Sequence, residues 1–226
     1  MNLNILYSDK DILVVEKPAG IAVQTRKLTE KDLVSEIKNH LSQKNKKTNP
    51  YLGIIHRLDQ PVRGILVFAL NEKAAAALSK QLRSGNFNKY YYALAEGIVD
   101  GSEGWNVLTD RLIKDKDNIA KVAGDDDKNA KRAELKYRVV KTDKEAGMTK
   151  LEIELITGRF HQIRAQLSNM GHPIINDRKY GACKELPQNG ERSIALCSYK
   201  LSFKHPVTGI LMEYGIDEDF SQFMSM

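Results

Sequence analysis

The residue best placed for chemistry in this 226-residue chain is Asp59, which stands in the stretch HRLDQPVRG between two apolar segments. Pro61 favours an extended backbone for the residue before it, so the stretch is predicted to be a loop at the end of a sheet. Such a loop, held by rigid elements, would present the Asp59 carboxylate beside His56, Arg57 and Arg63. The alternative is an aspartate that forms a turn by accepting hydrogen bonds from its own backbone, and this local sequence alone favours that alternative.

Positive charge is concentrated around Arg164, which follows Arg159 and His161 in the stretch TGRFHQIR. A helix that begins near Phe160 would place Arg164 in its first turn, where the helix dipole disfavours a cation. A nearby phosphate or carboxylate would offset this cost, so the pattern predicts an anion beside Arg164. The alternative is that the Arg159 and Arg164 side chains simply extend into solvent.

Three consecutive tyrosines, Tyr90, Tyr91 and Tyr92, lie in a segment whose alternation predicts a strand with an aromatic ring on each face. In most proteins such rings fill the core or cover the surface. A tyrosine that opens into a basic cleft would instead stack on a nucleic-acid base.

The elements that must hold these residues follow from the hydrophobic pattern, which predicts many short strands and a few helices. The strand-like segments are 5–7, 11–16, 64–70, 89–97, 135–140, 151–156, 193–197, 201–204 and 211–214. The helical segments are 29–43, with Thr29 as N-cap, 72–83 and about 160–170. Residues 44–50 are predicted to be a basic loop, and residues 114–132 a mobile excursion or a hairpin tip. The balance favours an α+β protein with mostly antiparallel strands.

Composition and charge narrow the class of partner. The net charge of +6 comes from 35 basic and 29 acidic residues, an excess that suits a polyanion but is also common on solvated surfaces. No apolar run approaches the ~20 residues that cross a bilayer, and no secretory signal is visible, which together predict a cytoplasmic protein. The two cysteines, Cys183 and Cys197, are expected to be free thiols. They form no CxxC pair and the histidines are scattered, so no zinc site is expected.

Several motifs, in order along the whole chain, resemble one known family. They are LVVEKPAG from Leu13, IHRLD from Ile55, KYYYAL from Lys89, TGRFHQIR from Thr157, GHPI from Gly171 with Asp177 and Tyr180-Gly181, and HPVTG from His205. This set is similar to the motifs of the RluA-type pseudouridine synthases. The resemblance implies an enzyme that converts specific uridines of structured RNA, ribosomal or transfer RNA, to pseudouridine.

The resemblance also implies roles for individual residues. Asp59 takes the place of the family's catalytic aspartate. Tyr91 takes the place of the active-site tyrosine that stacks on the target base, and Arg164 that of the basic residue that pairs with the aspartate. Arg57 corresponds to an arginine that can fill the gap left by the flipped nucleotide, and Arg63 is a further candidate for RNA contact. No cofactor and no metal are expected, because the isomerisation neither oxidises the substrate nor loses a group.

The implied fold is a single catalytic domain of two packed halves around a long, mostly antiparallel mixed sheet, with flanking helices and an active-site cleft across the middle. We expect residues 1–226 to form this domain without an appended N-terminal RNA-binding domain, and the protein to be a monomer with RNA as its partner and no membrane association. Two positions depart from the family. Val62-Arg63 stands where Thr-Ser is common, and Asn176 replaces a usual glycine.

Two other classes of function compete with this interpretation. A non-catalytic RNA-binding protein would use the same basic residues and tyrosines but would not need Asp59. A hydrolase acting on a glycosidic bond would normally need two flanking carboxylates, and the motifs supply one strong candidate. The joint presence of Asp59, Tyr91 and Arg164 favours the synthase over both.

Overall fold

The computed structural model describes residues 3–25, 30–45, 48–101, 104–124, 126–186, 193–217 and 220, with only the backbone of residues 44 and 45. The chain divides into two compact units. The first unit comprises Met1–Asn88, Glu191–Ser193 and Ser198–Ile216, and the second comprises Lys89–Gly190, Ile194–Cys197 and Asp217–Met226.

The described elements are many antiparallel strands with a few helices, and the predicted α+β fold class is confirmed. In chain order they are β1 Asn4–Ser8, β2 Ile12–Lys17, α1 Leu33–Asn45, β3 Gly53–Ile54, β4 Arg63–Ala69, α2 Glu72–Arg83, β5 Phe87–Glu96, β6 Asn106–Lys114, β7 Ala120–Val122, β8 Lys131–Asp143, β9 Met148–Leu155, α3 Gln162–Asn169, a 3₁₀ turn Arg178–Tyr180, β10 Leu196–Lys204 and β11 Leu211–Gly215. Within the described residues, no helix is long and apolar enough to span a membrane.

The first unit is built around β4, which pairs antiparallel with β2, while β2 pairs with β1 on its other side. All residues of β4 after Arg63 are buried, as the continuous apolar run predicted. Helix α2 has the bounds that the sequence predicted, and the Asn71 side chain caps it by accepting a hydrogen bond from the Ala74 amide at 2.9 Å. Its buried residues Ala74 and Leu78 pack into the core of this unit together with Phe87.

The predicted start of helix α1 was wrong. Thr29, the predicted N-cap, lies outside the described residues, and the helix begins at Leu33. The capping group is the Asp32 carboxylate, which accepts hydrogen bonds from the amide of Ser35 at 2.7 Å and from that of Thr25 at 2.8 Å. A carboxylate three residues ahead of an unsatisfied amide is a stronger cap than a more distant hydroxyl.

In the second unit, the strands pair antiparallel in the order β5, β9, β8, β6, β7. Of the two alternatives for residues 114–132, a mobile excursion or a hairpin tip, the structure has the hairpin, because β7 pairs with the end of β6. Its turn is closed by the Asp115 carboxylate, which accepts hydrogen bonds from the amides of Asp117 and Ile119.

The division of residues 193–204 into two strands was wrong. Leu196–Lys204 is one continuous strand, β10. Lys200 pairs with Gly215 and Leu201 with Tyr214 of β11, so Lys200, which lies in the predicted gap, is part of the ladder. Backbone pairing continues there because it does not depend on side-chain polarity.

Candidate active site

Asp59 lies half-buried in the loop between β3 and β4 of the first unit. Its backbone carbonyl accepts a hydrogen bond from the Val62 amide at 3.1 Å, which closes a turn around Pro61. His56, at the start of the motif, has a structural position: its Nε2 accepts from the Val67 amide at 3.4 Å, and its ring packs edge-on to Phe87. The His56 contacts therefore fix the start of the loop, and the turn fixes the backbone that follows Asp59.

A fully buried lysine, Lys17, anchors this loop from the end of β2. Its Nζ donates to the backbone carbonyls of Pro18 and Ile21, each at 2.8 Å, and of Gln60 at 3.1 Å. Gly20 and Gln60 add two hydrogen bonds, because the Gly20 amide donates to the Gln60 carbonyl and the Gln60 side chain donates to the Gly20 carbonyl, each at 2.9 Å. The sequence interpretation gave Lys17 no role. The available signal was a lysine at the end of a strand whose first four residues are apolar.

Gly64 and its neighbours explain the departure from Thr-Ser-Gly. Gly64 has a φ of +149°, and a Cβ there would lie 2.5 Å from both the Cβ and the carbonyl oxygen of Ser198, so only glycine fits. Val62 is buried, and the Arg63 Nε donates to the Glu16 carboxylate at 2.6 Å. Val62 is therefore part of the core of this unit, and Arg63 is part of a surface ion pair. Arg57, by contrast, is exposed.

Arg164 stands in the first turn of α3, as predicted, and is almost fully buried. It forms a two-point ion pair with Asp177, with Nε 2.6 Å from Oδ2 and Nη2 2.8 Å from Oδ1. Its guanidinium also lies 4.8 Å from the centroid of the Tyr180 ring. The prediction of an anion near Arg164 is confirmed by Asp177, which the sequence interpretation quoted in a motif without assigning it a role. Pairing of Arg164 with Asp59, in the other unit, stays a prediction.

The Asp177 loop also explains the second departure from the family. Asn176 has a φ of +69°, a left-handed conformation in which glycine is usual and asparagine is the best-tolerated alternative. Its side-chain oxygen accepts a hydrogen bond from the Leu186 amide at 2.8 Å, which holds the loop that carries Asp177. Asparagine therefore substitutes for the glycine and adds a contact.

Tyr91 lies on β5 of the second unit, opposite Ile153 of β9, and is buried. Tyr90 and Tyr92 point to the other face of the strand and are half-buried. The ammonium of Lys150 lies 4.7 Å from the centroid of the Tyr92 ring. The alternation of the three rings is therefore as predicted, with Tyr91 alone on the inner face.

His161 is neutral, although the sequence interpretation counted it among the positive charges near Arg164. Its Nδ1 lies 2.8 Å from the Tyr180 hydroxyl, which accepts a hydrogen bond from the Ala120 amide and so has its own proton to donate to the imidazole. Burial, followed by the positive charges of Arg164 and Lys179, lowers the His161 pKa to about 3.

Among the described residues, one group has the donor types of a metal site: Asp9, Asp11 and His205 of the first unit. Both nitrogens of His205 already have partners, however. Nε2 lies 2.8 Å from Oδ2 of Asp9, and Nδ1 accepts from the amides of Val207 and Thr208. Through these hydrogen bonds, His205 links the HPVTG turn to the segment between β1 and β2.

The sequence matches a known protein family over most of its length. A family model described as RNA pseudouridylate synthase matches residues 11–169, which is more than half of the chain. The chain belongs to the pseudouridine synthase family. The matched range contains Lys17, Asp59, Tyr91 and Arg164, whereas Asp177 and His205 lie beyond it.

Individual relatives confirm the resemblance to the RluA-type pseudouridine synthases. The chain is 34% identical to an uncharacterized RNA pseudouridine synthase of Aquifex aeolicus over 96% of this chain and 69% of the relative. It is 30% identical to tRNA pseudouridine synthase C of Salmonella typhi, with 99% and 89% covered. It is 31% identical to ribosomal large subunit pseudouridine synthase D of Xanthomonas campestris, with 99% and 69% covered.

Solved structures agree on the fold. The chain matches human RNA pseudouridylate synthase domain containing 4 with a TM-score of 0.75 at 20% identity, covering 96% of this chain and 88% of that one. Because it belongs to this family, the protein is an enzyme, an isomerase that acts on RNA.

Proposed function

We propose that the protein isomerises one or more specific uridines in structured RNA, ribosomal or transfer RNA, with Asp59 as the catalytic carboxylate. The observation that carries the proposal is the match to the pseudouridine synthase family over residues 11–169, with the complete IHRLD motif inside it. Both RNA classes stay in the proposal because the relatives include a transfer-RNA enzyme and a large-subunit ribosomal enzyme.

The chemistry breaks the bond between uracil N1 and the ribose C1′ and joins C5 to C1′, after which the proton on C5 is lost and N1 is protonated. Atoms and charge balance within the nucleotide, so the residues need only supply an ionised carboxylate and hold the detached base. Asp59 would assist by adding to the sugar or base, or by taking up the proton. A uridine in a stacked helix is out of reach, so the nucleotide must flip out of the stack.

The other proposed residues support this step. Tyr91 is proposed to stack on the flipped base and Arg164 to act with the catalytic carboxylate. Arg57, which is exposed, is proposed to fill the gap in the RNA, and Arg63 to contact the backbone. Residues 1–226 would act as one catalytic domain, in a monomer located in the cytoplasm.

One experiment separates this proposal from its rivals. Total ribosomal RNA and transfer RNA from cells lacking the protein, labelled with tritium at uridine C5, would be incubated with the pure enzyme. A synthase releases tritium to water and leaves the RNA strand intact. A binding protein releases none, and a hydrolase yields free uracil or an abasic site, so either result would contradict the proposal. Mapping the new pseudouridines then identifies the RNA.

A further inference from the structure

The second unit contains a cavity of about 580 Å³, a volume within the range of ligand-binding sites. Its lining residues come from the β6–β7 hairpin, the start of β8 and the loop before α3: Leu112, Ile113, Lys114, Ala120, Asn129, Lys131, Gly158, Arg159 and Phe160. Three of these are cations and none is acidic. The cavity therefore favours a negatively charged ligand.

Phe160 supplies an exposed aromatic surface in this cavity. It is 41% exposed, although burying a phenylalanine is ordinarily favourable. Its ring stacks on His161 with centroids 3.7 Å apart, and the Lys114 ammonium lies 4.6 Å from its centroid. Because the imidazole occupies one face at that distance, the ammonium must lie over the other. The outer face is thus covered by a flexible, exposed cation that a phosphate would attract.

The Phe160 ring is held rigidly in this position. His161 behind it has a left-handed backbone, with φ of +50°, a conformation that non-glycine residues rarely adopt. The imidazole is fixed in turn by the Tyr180 hydroxyl, which is anchored to the Ala120 amide at 2.8 Å. Because Ala120 lies on β7, this chain of contacts links Phe160 to the hairpin that also lines the cavity. An exposed ring that is held beside a backbone in a rarely adopted conformation indicates a binding function rather than packing.

We propose that this cavity binds an unpaired nucleotide of the RNA other than the target uridine, with its base stacked on Phe160 and its phosphate between Lys114 and Lys131. The proposal rests on the proposed function only in taking RNA as the ligand. An aromatic ring among cations is the arrangement with which proteins bind single-stranded nucleic acid, and stacking of this kind accepts any base. An acidic peptide would use the cations but not the ring.

The test uses the full chain and two fluorescein-labelled probes: a uridine decamer and a decamer of the same length with abasic riboses. Fluorescence anisotropy gives the Kd of each. Replacing Phe160→Leu should weaken binding of the uridine decamer by about fivefold or more, the range reported for one stacked base, and leave the abasic decamer unchanged. Phe160→Tyr, which keeps an aromatic ring, should bind the uridine decamer like the wild type.

Matched controls exist on the same unit. Trp105 is also an exposed aromatic beside a cation, 39% exposed with Arg138 at 5.1 Å, but it does not line the cavity, so Trp105→Leu should change neither Kd. Lys131→Gln should reduce the salt dependence of binding by about 0.7 in log–log slope, as expected for one lost phosphate contact on a single strand. Lys116→Gln, on an exposed lysine outside the cavity, should leave the slope unchanged.

The proposal is overturned if Phe160→Leu binds the uridine decamer like the wild type, or weakens both decamers equally, which would make the cavity a general anion or acidic-peptide site. These results are independent of catalysis. Tritium release by the wild type together with an unaffected Phe160→Leu Kd would retain the synthase and remove the subsite. Base-dependent binding through Phe160 without tritium release would retain the subsite and remove the synthase.

Discussion

Two buried cations, Lys17 and Arg164, lie in the two regions that hold the candidate catalytic residues, and they bind different kinds of partner. Lys17 in the first unit donates to three backbone carbonyls around the Asp59 loop. Arg164 in the second unit faces a carboxylate, Asp177, with both arms of its guanidinium. Both side chains are at least nine-tenths buried.

The difference shows what each cation fixes. The described hydrogen bonds of Lys17 go to backbone carbonyls, so Lys17 stabilises the backbone of the loop that carries Asp59. The Arg164–Asp177 pair is neutral as a whole and chiefly fixes side-chain geometry at the start of α3. Lys17 therefore acts on the backbone conformation, and Arg164 on the orientation of a guanidinium.

The Arg164–Asp177 pair should have the largest effect on stability. Arg164→Met leaves Asp177 as a buried carboxylate without its described ion-pair partner, so we expect the free energy of unfolding in urea to fall by about 3–5 kcal/mol. The double variant Arg164→Met with Asp177→Leu removes both charges and should recover much of that loss. A double variant as unstable as the single one would show that packing, not charge, dominates at this site.

Lys17→Met should have the next largest effect. It removes three part-buried hydrogen bonds to backbone carbonyls, which at about 1 kcal/mol each lowers the free energy of unfolding by about 3 kcal/mol. Because the Asp59 loop loses its anchor, kcat for tritium release should fall while the Kd for RNA stays within about twofold. Lys10→Met, on an exposed lysine of the same unit, is the control and should change neither quantity. A normal kcat in Lys17→Met would show that the loop does not depend on this anchor.

Lys89, in the second unit, should make the free energy of unfolding depend on pH. Burial lowers its pKa to about 8, whereas the unfolded chain has the ordinary value of 10.5. Between pH 8 and pH 10.5 the unfolded state binds more protons, so stability rises with pH in this window. The free energy of unfolding of the wild type, relative to Lys89→Met, should therefore increase by on the order of 2 kcal/mol from pH 8 to pH 10.5. A constant difference between the two proteins across this range would contradict the lowered pKa.

The smallest effect on stability is expected for the Arg63–Glu16 pair, whose arginine side chain is 35% exposed. Arg63→Ala and Glu16→Ala should each change the free energy of unfolding by about 1 kcal/mol or less, as partly exposed pairs do. The proposed RNA contact makes a separate prediction for binding. Arg63→Ala should weaken the binding of RNA, whereas Glu16→Ala, which keeps the arginine, should not. Equal binding by both variants would remove Arg63 from the RNA interface.

The sequence predicted those parts of the molecule whose signal is local. The alternation of Tyr90 to Tyr92, the apolar run of β4 and the bounds of α2 each lie within one segment, and each prediction is confirmed. The need of Arg164 for an anion was also local, because it followed from the helix dipole.

The parts that could not be predicted depend on contacts between distant segments. Lys17 reaches Gln60, and Arg164 reaches Asp177, through folded loops that no spacing rule reveals. The lowered pKa of His161 follows first from its burial in the fold, and its hydrogen-bond partner Tyr180 is 19 residues away in the sequence. Asn176 was noted as a departure from the family, but only its positive φ explains why asparagine fits there.

The most direct test of the central claim is the single-turnover rate of tritium release from C5-labelled RNA by Asp59→Asn, which keeps the size of the side chain but not its charge. The control is Asp126→Asn, an exposed aspartate on another loop. We expect Asp59→Asn to bind the RNA with a Kd within about twofold of the wild type and to release no tritium above background, while Asp126→Asn behaves like the wild type. Tritium release by Asp59→Asn at a rate close to that of the wild type would show that Asp59 is not the catalytic carboxylate.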